Sequence, residues 1–156
     1  MMISWFEKHN KISLIIAILI AIFIFYISSL TFKAGVPGPE FSFKPILYHF
    51  LIFLLFSFFL LIALLKHQKS EDFCGLKISA EIFKGKKINL FLLAILISII
   101  YAISDEFHQL FVPGRACSLS DVLTDSAGVL FAGLLYSFRI KSKNKVNEEY
   151  NPDLYY

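Results

Sequence analysis

Charge is scarce in this chain: 17% of its residues are Asp, Glu, Lys or Arg, against about 25% in an ordinary soluble domain. Cysteine is nearly absent too, at two residues, which excludes a disulfide scaffold and any site built on several thiolates. There is no HExxH, no Gly-x-Ser-x-Gly and no Cys/His spacing of a zinc site, so no recognised catalytic motif is present and no cofactor is expected. Internal repeats and low-complexity tracts are missing as well. Apolar residues fill the space instead: 57% of the chain is hydrophobic, with 18 Phe.

That apolar material comes in blocks rather than in a helical or strand rhythm, so block length decides the reading. A helix crossing a hydrocarbon core needs about 20 predominantly apolar residues. Four blocks qualify, at about 12–32, 45–65, 90–111 and 121–140. The expected class is all-α: a polytopic integral membrane protein with a four-transmembrane-helix bundle over residues 1–140 and a polar tail over 141–156. The first block outruns the roughly 7–15 apolar residues of a signal-peptide core, and no small-residue cleavage site follows it, so it reads as an uncleaved span.

Basic residues set the orientation. Twelve of the fifteen lie before the first block, in the connection 66–88, or at and beyond Arg139. The other two connections hold only Lys33, Lys44 and Arg115. Short basic loops stay inside, which predicts cytoplasmic termini and a multi-pass protein of the cell membrane. The same bias therefore gives no indication of a nucleic-acid partner; the expected partner is the bilayer. Cys74 then falls inside and Cys117 outside, too far apart for a disulfide. The stretch CGLKISAEIFKGKK reads as a weakly amphipathic surface segment, and the tail from Lys141 as mobile.

The informative stretch is SDEFHQLFVPGR, residues 104–115. The apolar run Leu90–Ser104 spans only about 22 Å as a helix, short of the hydrocarbon thickness. Continuation of the helix through DEFHQLF is expected, carrying Asp105, Glu106, His108 and Gln109 into the outer part of the membrane. Ser98, Ala102, Asp105 and Gln109 share one stripe, and its small residues direct that face towards protein. The fourth block repeats the device with Asp121, Asp125, Gly128 and Ala132, after a cap at Ser118 or Ser120. Pro113 and Gly114 turn the chain between the two, placing Arg115 among the acids.

The candidate polar site is thus Asp105, Glu106, His108, Gln109, Arg115, Asp121 and Asp125, with Lys44 and His49 as accessories from the second span. Its main feature is expected to be a clamp of Glu106, Arg115 and Asp121. Metal binding is not expected; Asp105, Asp121 and Asp125 are the weak candidates for it. His49 reads either as an interfacial filler or as a participant.

The motif SDEFHQLFVPGRACSLSDVLTDSAGVLFAG resembles the VanZ-like membrane proteins: an acidic pair (Asp105, Glu106), Gln109, a Phe111-x-Pro113-x-Arg115 turn, then Asp121 opening a span rich in small residues. SSL at 28–30 and KPILYHF at 44–50 are similar as well. Where members often have Glu and Tyr after the His-Phe pair, this chain has Ile52 and Phe53. The resemblance implies an envelope function linked to low-level resistance to the glycopeptide teicoplanin. Three readings of the site follow: a structural clamp, a module binding a lipid-linked envelope precursor or the glycopeptide, or an intramembrane enzyme with Glu106 as acid or base. Oligomeric state is left open.

Overall fold

Long apolar runs without proline have one way to satisfy their backbone groups in a bilayer, and that is the α-helix. The computed structural model describes residues 2–31, 43–65 and 77–149. All regular structure among them is helical: α1 (Met2–Lys8), α2 (Asn10–Ser28), α3 (Phe43–Leu64), α4 (Lys77–Gln109) and α5 (Leu119–Glu149). Four segments are long and apolar enough to span, Asn10–Ser28, Ile46–Leu64, Ile88–Gln109 and Leu119–Ile140. At 1.5 Å per residue these are about 28–33 Å long, the thickness of a hydrocarbon core.

Helix α3 is the hub, packing against α1, α2, α4 and α5. It carries much of the core, including Phe53, Phe56, Leu60, Leu61 and Ile62, which meet Ala94 and Ala102 of α4 and Val129 and Ala132 of α5. Ile, Leu and Phe side chains of all four long helices remain exposed on the outside of the bundle, as a lipid-facing surface requires. Polar partners sit inside: the Tyr101 hydroxyl donates to the carbonyl of Ala21 at 2.7 Å, and Ser98 bonds back to Ala94 within its own helix.

The tightest approach is between α3 and α5. A methyl group placed on Gly128 would overlap the carbonyl oxygen of Phe50 and come within 3.2 Å of the Leu54 nitrogen. Glycine is what lets the two backbones close, one turn from Asp125 on α5 and next to His49 on α3.

Two expectations about the ends of helices are corrected. The stretch from Lys77 is not a separate surface segment; it runs without a break into the third span, so α4 reaches about 50 Å. Helix α5 likewise runs on through Glu149, past the end of the fourth span expected near residue 140. In both places, once a span has nucleated the helix, each added residue closes a hydrogen bond at small cost. The KSKNKVNEE segment holds no Gly or Pro to stop it. Helix α2 ends at Ser28 and α4 at Gln109, a little before the expected limits. Residues 32–42 of the outer connection, and 66–76 with Cys74, lie outside the described residues.

At the end of the bundle away from Gly128, Glu7 of α1 is buried and accepts a hydrogen bond from Nε of Arg139 on α5 at 3.3 Å. Phe6 packs edge-on against Phe59 of α3 there. The first helix thus folds against the base of the bundle.

Replacing Gly128 with Ala should cost about 1–3 kcal/mol, the usual range for overpacking, because backbone rather than a flexible side chain stands in the way. Gly85→Ala is the matched control, since nothing lies within 4 Å of its added methyl. Thermal unfolding of the detergent-solubilised variants should show a lowered midpoint for the first and an unchanged or raised one for the second.

Candidate functional site

The site is built where α3, α4 and α5 come together near the α4–α5 turn. Helix α4 continues through Gln109, so Asp105, Glu106 and Gln109 are carried on the same face as Ser98 and Ala102, and all five are buried. On α5 the turn containing Asp125 packs against α3, and Asp125 is fully buried. His49 is buried opposite it, with Nδ1 3.0 Å from Oδ1 of Asp125. The second oxygen, Oδ2 of Asp125, is buried without a hydrogen-bond partner among the described residues.

Glu106 completes this cluster. Its exposure is only 1%, and one ligand-type atom from each of His49, Glu106 and Asp125 lies within 4.8 Å of the others. Two donors fix the carboxylate: Nε2 of Gln109 gives to Oε1 at 2.9 Å, and the backbone N–H of Ser118 gives to Oε2 at 3.0 Å. The Gln109 amide also reaches Oδ2 of Asp105 at 3.1 Å. Gln109 therefore bridges two acids that sequence order alone makes neighbours, and keeps them from repelling unshielded.

The connecting loop is shaped by a type II turn. Arg115 N–H bonds the carbonyl of Val112 at 3.1 Å, with Pro113 and Gly114 at the centre and Gly114 at φ 83. Pro pre-sets the first central position, and Gly takes the left-handed one without strain. Beyond the turn, Ser118 stands just before the first residue of α5, and its carbonyl accepts from the N–H groups of Asp121 and Val122.

Arg115 reaches back to the end of α2. Its Nη2 donates to the carbonyl of Ile27 at 2.7 Å and its Nε to that of Leu30 at 3.4 Å, at the end of α2. The last carbonyls of a helix have no partner within it and carry the negative end of its dipole, which a guanidinium satisfies twice over. His108 works beside it. The imidazole stacks on Phe25 with centroids 4.6 Å apart, and Nε2 lies 3.0 Å from Oγ of Ser29. That hydroxyl donates to the carbonyl of Phe25, so it accepts from the ring. Glu106 thus ties the start of α5 to α4, while Arg115 and His108 tie the turn and the end of α4 to α2.

Asp121 is half-buried on the first turn of α5 and takes a bond from Ser120 at 3.4 Å. Of the acids named as weak metal candidates, only Asp125 belongs to the ligand-type group; Asp105 and Asp121 do not. His49, an accessory in the sequence, is central instead. The Lys44 side chain lies outside the described residues. Sequence reasoning missed the role of Ser29, whose only signal was the SSL motif.

Two recesses flank α2. An apolar groove of about 390 Å³ between α2, α3 and α4 is walled by residues including Leu14, Ile18, Ile22, Phe56 and Ile97. A smaller recess of about 240 Å³ is walled by Ser104, Asp105, Phe107, His108 and Phe111. Phe25 and Tyr101 line both, so the two are neighbours along one crevice.

A multi-pass helical bundle with paired acids on its third span, a Pro-Gly-Arg turn and a buried acid on its fourth defines a membrane protein class. The VanZ/LLP1 family model matches residues 7–140, and the chain belongs to that family. No curated protein and no solved structure matches it.

Arg115→Ala should detach the loop from α2. The charged donor's bonds to backbone carbonyls contribute about 1.5–3 kcal/mol. Amide exchange across 110–118 should speed up accordingly, and Arg115→Lys should restore little of the protection, having no planar fork. Unchanged exchange in Arg115→Ala would contradict this placement.

Proposed function

We infer that this VanZ-family protein acts at the outer leaflet of the cell membrane by holding an acyl-bearing amphiphile of the cell envelope. The carrying observation is the crevice along α2: an apolar groove that continues into a recess with Ser104, Asp105 and His108. Pockets of this kind bind by apolar contact, with a few polar groups fixing orientation. A lipid chain in the groove gains about 0.8 kcal/mol per methylene withdrawn from water. Within a bilayer, where chains are already solvated, shape and the polar end decide which amphiphile stays. A headgroup with hydrogen-bond donors suits the Asp105 carboxylate.

The ligand class includes lipid-linked wall precursors and teicoplanin, a glycopeptide that bears an acyl chain. Sequestering either at the outer leaflet accounts for low-level glycopeptide resistance. The orientation follows the basic loops, with the α4–α5 turn outside and both termini in the cytoplasm.

Orientation is tested by an impermeant maleimide on intact cells, which should label the exposed Cys117 and spare Cys74; the opposite pattern inverts the assignment. Binding is tested with teicoplanin and the same glycopeptide stripped of its acyl chain. The purified protein should retain the first at least about tenfold more tightly, a difference of about 1.4 kcal/mol. Ile18→Trp and Ile97→Trp fill the groove from its exposed walls without entering the core, and should abolish that preference. Equal susceptibility of cells with and without the protein, together with unchanged wall precursors, would leave only the structural clamp.

A further inference from the structure

Three residues from three different helices converge at one buried place: His49 from α3, Glu106 from α4 and Asp125 from α5. We propose that this cluster is a binding site for a divalent transition-metal ion, with Zn²⁺ as the best match, coordinated by one imidazole nitrogen and two carboxylate oxygens.

The ligand set fits in kind. Imidazole and carboxylate together suit first-row divalent ions, and three protein ligands leave a position for water or a ligand oxygen, as in catalytic rather than structural zinc sites. Spacing agrees as well. Two ligands at about 2.0–2.1 Å from one tetrahedral ion sit roughly 3.3 Å apart, and Nδ1 of His49 is 3.0 Å from Oδ1 of Asp125. The three ligand atoms lie within 4.8 Å of one another, so Glu106 has only a short distance to close.

Two further observations point to a ligand beyond the cluster itself. Asp125 is fully buried, yet its Oδ2 has no hydrogen-bond partner among the described residues, a costly arrangement for a carboxylate oxygen away from water. Charge gives the second reason. In the ligating form, a neutral imidazole with two carboxylates, the set carries a charge of about −2, which a divalent cation cancels at membrane depth. Gln109 and the Ser118 N–H orient Glu106 from behind, as outer-shell donors do for ligating carboxylates.

The site is separate from the crevice along α2, so it can stand or fall without the proposal made for that crevice. Gln109 links them, since its amide touches both Glu106 and Asp105.

The test uses the full-length protein in detergent, stripped with a chelator and then equilibrated with Zn²⁺. Elemental analysis should find one equivalent retained per chain. His49→Gln, Glu106→Gln and Asp125→Asn should each weaken retention by at least the roughly tenfold lost when an outer-shell partner is removed. His9→Gln, at the far end of the bundle beside Trp5, should leave it unchanged. Binding well below one equivalent, or binding that the three variants keep, overturns the proposal. Should those variants fail to fold, a chain with His9, His67 and His108 all changed to Gln retains a single imidazole, His49. Loaded with Cu²⁺, it should show one coupled imidazole nitrogen by pulsed electron paramagnetic resonance; a spectrum without that coupling overturns the assignment.

Discussion

Inside a hydrocarbon layer there is no water to accept a stray carboxylate, so every acid on a span must be answered by the protein or by something the protein holds. That constraint explains the layout near the α4–α5 turn. Asp125 is answered by His49, Asp105 by Gln109, and Glu106 by Gln109 and the Ser118 backbone. The Gln109 contacts lie within α4, while His49–Asp125 joins α3 to α5 and Ser118–Glu106 joins the start of α5 to α4. Bringing the three helices to one place requires the close approach of α3 and α5, which depends on Gly128 offering no side chain to the Phe50 carbonyl. A packing choice on one helix thereby sets the electrostatics of three.

Much of this was legible in the sequence because its physics is local or length-based. Span number follows from block length, and the third span's extension follows from its shortage of apolar residues. The buried stripes on α4 and α5 follow from helical spacing of acids with small residues. The Pro113-Gly114 turn follows from the conformations those residues favour. What could not be read is pairing across helices. His49 and Asp125 are 76 residues apart, and no period connects them. The hold of Arg115 on the end of α2 was equally hidden, because carbonyls at a helix end are acceptors whose place in space the sequence does not show.

The membrane class and the family are secure on different grounds, one on helix length and composition, the other on a match across residues 7–140. Function rests on the site, since a shared fold fixes none. The crevice along α2 and the buried cluster are two distinct features with different chemistry. The first is apolar with a polar end and opens beside lipid-facing helices; the second is closed and built of one histidine and two acids, with Gln109 and the Ser118 N–H donating to Glu106.

Arg115 grips main chain at the end of α2. Any residue other than one that disrupts the helix end presents the same carbonyls, so positions 27 and 30 are free to drift in identity over evolutionary time. The arginine has no such latitude. A recognition that reads only where a helix stops lets the lipid-facing first span adapt to membranes of different composition while its attachment to the rest of the bundle stays as it is.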